Sequence, residues 1–527
     1  MKTKTITLGP FLGINNRLPD FALKTDVGAY LRSAVNVDIT NAGNIVRRRG
    51  AVLLQAMGNA HSLKMATDTT GFMVRGSVLY GITLPAYTET LLTILASDAN
   101  MSYAQVGADW YYSNGTDIGR VNAGVRYPIA MEPVAAPALA TIGGSLQPGQ
   151  YQVGVSYVNA TTGEEGAISD LAYKELTTLG GIRVTLPGVL TGATHVNVYL
   201  SESNGTVQML HSSVVTATAT IDLTTLATGR AASGRSEDVL PAGTLFYSNG
   251  RLCSFSGSTV YVGLPFRPGY YLPLSGFIPF TDPVTIAISN EAGTYIAAEK
   301  TYFIPGDLHD TSEQVRDVLP CGAVPGTTFA VPHKKTIGWF SKRGFVLIGA
   351  DGTIDTSMSE NVDITPPVLG FVNVTESEGI RKAAGCGYAI NLENKAVTTY
   401  SDWDFTSASR KYGTKADGIY QIDTADVVSA TVSFGKHDFG SEMRKTMPAV
   451  YLGAKSGAAL NMRIKTPEGM DYTYQARSFS TDLQLHRVDP GKGLRANWFD
   501  LELTNTAGGD FTLATLSFLP KETTRRI

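Results

Sequence analysis

The amino-acid sequence predicts an all-β chain with a β-propeller-like core, an inserted β-sandwich and a C-terminal β-rich region. Three observations carry that reading. The composition joins 43% hydrophobic residues to 55 glycines, 24 prolines and 24 tyrosines, with few long Ala/Leu/Glu/Lys runs, which favours short strands and many turns over helices. At 527 residues the chain exceeds the roughly 250 to 300 residues at which a single core stops growing, so several units are expected. A hairpin signature, two aromatic and β-branched runs around a Gly, Asn, Asp or Lys turn, recurs along the chain.

Residues 1–132 are read as N-terminal strands and the first propeller blades. "VNVDITNAGNIV" is a hairpin whose turn is Asn41, Ala42, Gly43 and Asn44, and further hairpins begin at Gly71 ("GFMVRGSVLYGI") and Ala108 ("ADWYYSNGTDIGRV"). Residues 241–425 are read as the remaining blades, with hairpins beginning at Thr244, Gly293, Thr336 and Lys382. Starts at 71, 108, 244, 293, 336 and 382 differ by 37, 136, 49, 43 and 46; apart from the long one the intervals fall in or just below the period of about 40 to 50 residues of a four-stranded blade. Six hairpins are visible, and the amino-terminal strands are candidates to complete a seventh blade.

The long interval contains residues 133–240, where Tyr151, Val153, Val155 and Tyr157 alternate with Gln152, Gly154 and Ser156. About 100 residues of such short strands suit a small sandwich inserted into a blade connection. Residues 426–527 hold longer strand pairs around "PEG" and "TAGGD" turns, which fit either a second sandwich or a lateral sheet fused to the propeller.

Net charge is -3, so the chain as a whole carries no large positive field for nucleic acid or anionic lipid. Cys253, Cys321 and Cys386 are odd in number and far apart, which suits free thiols better than a disulfide framework. Gly9, Pro10 and Gly13 interrupt the basic start before a signal-peptide core can form, and no apolar run reaches the roughly 20 residues of a membrane span. Synthesis and retention in the cytosol are expected.

No catalytic, cofactor-binding or metal-binding residue is assigned. The sequence lacks a GxSxG elbow, a phosphate loop, an HExxH and a CxxC pair, and its histidines, His309 among them, lie far apart. Asp351 and Asp355 fall in a tight turn that needs them for geometry. Glu164 and Glu165 stand at a hairpin tip and read as a solvated turn. Asp402 and Asp404 flank Trp403 on an extended stretch, which would put both acids on one face as a candidate glycan contact; the competing reading packs Trp403 into the core. Arg47, Arg48 and Arg49 follow the first hairpin. Alternation puts Arg47 and Arg49 on one face and Arg48 on the other, either as a solvated or ion-paired strand edge or as a contact for a neighbouring subunit or DNA phosphates.

The stretch "FLGINNRLPDFAL" followed by "LRSAVNVDITNAGNIVRRRGA" resembles the amino-terminal signature of bacteriophage tail structural proteins. "WDFTSASRKYGTKADGIYQID" resembles the last-blade passage of the same group, and "SFGKHDFGSEMRKTMPAVYLG", "GKGLRANWFDLELTNTAGGDFTLATLSFLP" and the final "RRI" resemble its closing region. That resemblance implies a tail nozzle or hub protein of the β-propeller type with an inserted fibronectin type III or immunoglobulin-like module. It further implies a non-enzymatic virion part, made in the bacterial host cytoplasm and placed in the tail. The implied partners are other copies in a ring, a hexamer first among ring sizes, adaptor or portal proteins, fibres, passing double-stranded DNA without sequence specificity, and the host cell surface. The alternative is a receptor- or glycan-binding tail component, or a tail-tip protein of a long-tailed phage.

Overall fold

The computed structural model describes residues 5–232, 237–308, 315–491 and 493–523. His309 and the closing "RRI" lie outside the described residues. The chain is all-β: a propeller, an inserted sandwich and a terminal sandwich.

Seven antiparallel sheets among the described residues form the blades. Blade I is Ala60–Met65, Thr70–Arg75, Val78–Thr83 and Thr88–Ile94, and blade II is Ser102–Val106, Asp109–Ser113, Ile118–Asn122 and Val125–Tyr127. Blades III to VI follow over 244–279, 286–319, 329–355 and 372–399. Blade VII takes Ser407–Ser409, Tyr412–Lys415 and Gly418–Thr424 from late in the chain and its fourth strand, Gly50–Ala56, from early in it. The last blade is thus completed by hydrogen bonds between distant parts of the sequence, which ties the two ends of the ring together and leaves only the short edges of the individual blades.

Short polar side chains stitch neighbouring blades together. The amide of Leu63 donates to Ser407 Oγ at 2.8 Å, that of Met101 to Ser62 Oγ at 2.9 Å and that of Leu245 to Ser102 Oγ at 2.9 Å. Asn290 Nδ2 donates to the Gly349 carbonyl and Asn373 Nδ2 to the Arg410 carbonyl, each at 2.9 Å. These bonds satisfy backbone groups at the blade junctions, while Trp339, Tyr295 and Ile296 fill the apolar space between sheets.

The inserted sandwich packs the sheet Ala138–Leu146, Gly180–Thr185 and Thr220–Leu223 against a second sheet built on Gly149–Asn159 and His195–Ser201. Tyr151, Val153, Val155 and Tyr157 point into its core, as their alternation requires. The intervening Gly154 and Ser156 are also buried, because Ile168 and Glu165 cover the outer face there.

The strands before residue 50 form no blade of their own. Val37–Ile39 and Ile45–Arg47 make the anticipated hairpin, but it joins Phe511–Phe518, Val450–Ser456 and Gln484–Val488 in a six-stranded sheet. Ser33–Val35 bridges the last strand of blade VI to Thr431–His437, so one nine-stranded sheet runs from the propeller into the terminal unit. The terminal region is therefore both a second sandwich and a lateral extension of a blade. Its core is continuous with residues of blades V and VI, Phe340 and Val372 among them.

Cys253, Cys321 and Cys386 are unbridged. No helix among the described residues is long and apolar enough to cross a membrane.

Candidate functional site

Two of the residues singled out in the sequence, Arg48 and Trp403, meet inside the molecule. Arg48 leaves the strand Ile45–Arg47 and enters a closed box, where Nε donates to Asn36 Oδ1 at 2.8 Å and Nη2 to the Ser401 carbonyl at 3.0 Å. Its guanidinium lies 5.2 Å from the Tyr400 ring centroid and 5.7 Å from that of Trp403, a cation–π arrangement worth more once water is excluded. Lys382, 2% exposed, also lies against Tyr400, its Nζ 5.4 Å from the ring centroid, and pairs with Asp38 at 2.7 Å and Asp423 at 3.4 Å. Burial alone would lower that amine, but the two carboxylates outweigh it and raise its pKa.

Two expectations are corrected here. Arg47 and Arg48 are buried and committed to intrachain partners, Arg47 to the Asp426 carbonyl at 2.6 Å and Asp510 at 3.3 Å, so neither offers a contact for DNA or a neighbouring subunit. Arg49 is half-buried and pairs with Glu378 at 3.5 Å. Trp403 packs between Tyr400 and Phe405 in a buried cluster, and no sugar can reach it. Asp402 and Asp404 are exposed on either side, but Asp402 adopts φ 58° rather than an extended conformation, and Asp404 is held by Lys415. The three residues do not form a glycan patch.

A different place gathers accessible chemistry. Where the inserted sandwich meets the propeller there is a cleft of about 500 Å³, within the size range of small-ligand sites. Blade II supplies its floor with Asp109, Tyr111, Arg120 and Asn122; the hairpin tip of the sandwich supplies Glu164; the blade III turn supplies Phe266 and Arg267. Arg120 bridges the two units, its Nη1 3.4 Å from Asp109 and its Nη2 bonded to Glu164. Asn122 Nδ2 donates to Asp109 Oδ1 at 2.5 Å. Arg267 donates to the Glu165 carbonyl at 3.1 Å, pairs with Glu237 at 2.6 Å and lies 4.6 Å from the Tyr270 ring centroid.

Glu164 and Glu165 therefore do not form a solvated turn. Glu165 accepts hydrogen bonds from Ser156 at 2.6 Å, Tyr199 at 2.5 Å and Asn197 at 2.9 Å, and pairs with Arg230. Burial would raise its carboxyl, but those donors outweigh burial and hold it below the ordinary carboxylate range. Burial also pushes the hydroxyls of Tyr111 and Tyr199 up to about 12, so both stay protonated donors at neutral pH.

Sequence reasoning passed over Phe266. It occupies the second position of the two-residue turn between Thr259–Leu264 and Arg267–Tyr271, with φ 61° and 98% exposure. A positive φ after a proline is the geometry that favours glycine in type II turns, so a large apolar residue in "GLPFRPG" was the available signal. No group of His, Cys, Asp and Glu among the described residues has the arrangement of a metal site.

No protein-family model matches the chain, and no curated protein matches it. Solved structures with some likeness include the computationally designed Ika8 protein, 10% identical, covering 66% of this chain and 98% of that one, with a TM-score of 0.24. A glycoside hydrolase family 43 arabinoxylan arabinofuranohydrolase from Bacillus subtilis is 8% identical, with 80% and 96% of the two chains covered and a TM-score of 0.22. An exo-beta-1,3-galactanase from Phanerochaete chrysosporium is 9% identical, with 89% and 100% covered and a TM-score of 0.21. Similarity at this level tells nothing of function.

Proposed function

We propose that the chain is a non-enzymatic structural component of a bacteriophage tail, a nozzle or hub subunit that assembles with its own copies into a ring around the DNA exit channel. The resemblance of both chain ends to tail proteins supplies the biological setting. One structural observation supports assembly. The terminal sandwich ends in two open strands, Asp471–Gln475 at the edge of one sheet and Gln484–Val488 at the edge of the other. Tyr472, Phe479, Leu483 and Leu485 stand at least half exposed along and between them. Open edges carrying apolar side chains are an aggregation hazard in a free monomer and a usable joint in an assembled one. A closed ring needs two different complementary surfaces on each subunit, and this edge would be one of them. Near-neutral charge suits a channel that must pass DNA without retaining it, since each phosphate contact adds salt-dependent affinity.

Native mass spectrometry with negative-stain imaging tests the reading. A closed ring with a central hole is expected, and Leu485→Glu, which puts a charge on the exposed edge, should reduce it to single subunits. A chain that stays monomeric with its adaptor or portal partner present argues against the ring. The alternative of a receptor- or glycan-binding tail component draws support from the cleft beside the inserted sandwich.

A further inference from the structure

We propose that the cleft between blade II, blade III and the tip of the inserted sandwich binds a neutral saccharide, with Phe266 as the stacking surface and Asp109, Asn122 and Glu164 as partners for its hydroxyls. This inference gives a ligand class to the glycan-binding reading. It does not depend on ring assembly, because every wall of the cleft belongs to one chain.

Charge selects against anions. Four carboxylates (Asp109, Glu164, Glu165 and Glu237) are matched by three guanidiniums (Arg120, Arg230 and Arg267), a net charge of -1 around the cleft. A phosphate, sulfate or sialic acid would meet guanidiniums already paired and a surplus carboxylate beside them. Neutral hydroxyls meet no such penalty. A carboxylate offers about four acceptor positions, so Asp109 and Glu164 retain capacity after their bonds to Arg120 and Asn122. Those same bonds hold the acceptors still before a ligand arrives, which lowers the cost of binding.

Shape and strain select for a ring with an apolar face. A pyranose presents C–H groups on one face and hydroxyls around its rim, and Phe266 is the fully exposed aromatic at the edge of this cleft. Its backbone takes a conformation that bulky residues avoid, in a turn that glycine would fill without strain. Stability alone would favour replacing it. Strain retained in an exposed aromatic at the mouth of a polar cleft is what a binding role would maintain.

Saturation-transfer NMR on the full chain tests the proposal, with maltose, cellobiose, lactose and chitobiose as neutral probes and sialyllactose as the anionic comparison. At least one neutral disaccharide should receive saturation, and sialyllactose should receive less. Phe266→Gly should weaken binding about tenfold, while the thermal midpoint holds or rises as the turn relaxes. Phe266→Trp should retain binding. The proposal is overturned if none of the four neutral sugars responds, if sialyllactose responds best, or if Phe266→Gly leaves binding unchanged. Ring assembly measured on the same Phe266→Gly protein should not alter, so failure here and failure of the tail-ring reading are read separately.

Discussion

Arg48 shows how a charge that looks like a surface feature becomes an internal fastener. Its strand ends at Arg47, so simple alternation does not continue through the arginine run, and the side chain turns in toward Asn36, Tyr400 and Trp403. Removing one member of a buried charged network leaves its partners desolvated and unmatched. Arg48→Ala should cost about 3 kcal/mol in denaturant unfolding, whereas Arg49→Ala, which loses a half-exposed ion pair, should cost less than about 1 kcal/mol. Similar values for the two variants would contradict the buried role. A second residue sets a pH response. His437 lies against the rings of Phe439 and Phe518 and bonds the Phe434 carbonyl at 3.1 Å; burial lowers its pKa to about 4 from an ordinary 6.5. The unfolded chain then binds the proton more readily, so this contribution to stability is complete above about pH 6.5 and is lost progressively toward pH 4. Between pH 7 and pH 5 the wild type should lose about 2 kcal/mol more than His437→Phe, read as the difference in denaturation midpoints. The numbers of arginines and tryptophans were legible in the sequence, but their meeting was not, because Arg48 and Trp403 are brought together only by blade closure and the hairpin it anchors.

Blade VII depends on a pairing between strands that the sequence keeps far apart. Gly418 faces the Gln55 carbonyl so closely that an added Cβ would lie 2.3 Å from that oxygen. Gly418→Ala must therefore push the closing strand outward, and we expect a loss of about 1 to 3 kcal/mol with faster proteolysis in 50–56. An unchanged midpoint and cleavage pattern would mean that the closing strand contributes little. The hairpins at Gly71, Ala108, Thr244, Gly293, Thr336 and Lys382 all lie in blades, since local alternation and turn residues determine such units almost without tertiary help. The opening "GINN" has a role that local patterning does not reveal. Asn16 exchanges two hydrogen bonds with the backbone of Asp363, and Gly13 passes so near Val397 that no side chain would fit. The stretch is a clasp on blades V and VI, and its residue choice reflects the surface it lies on. The inserted sandwich was legible from its own alternation, but its docking through Glu164 and Arg120 was not, because an ion pair between two units leaves no periodic trace in either.

At the level of the whole molecule the first fifty residues are distributed between two units assembled from the end of the chain. A chain that begins at residue 58 would lack the fourth strand of blade VII and the strands that complete both terminal sheets. It should fail to give a soluble, cooperatively unfolding protein, whereas the full chain should unfold its propeller and terminal sandwich together because they share a core. Recovery of a soluble truncated chain with an unshifted thermal midpoint would refute that dependence. The all-β class and the insertion were within reach of pattern and period; the number of blades and the exchange of strands between the ends were not, because blade VII requires partners more than 350 positions apart, Gly50 with Thr424 among them. This exchange also sets a clock. At roughly 5 to 20 residues added per second, the strand Gly50–Ala56 waits on the order of 20 to 75 s after its own synthesis before its partner Gly418–Thr424 exists. Throughout that interval the nascent chain carries an unpaired β-strand, so its yield in a crowded cell should depend on how well chaperones shield its beginning until its end has been made.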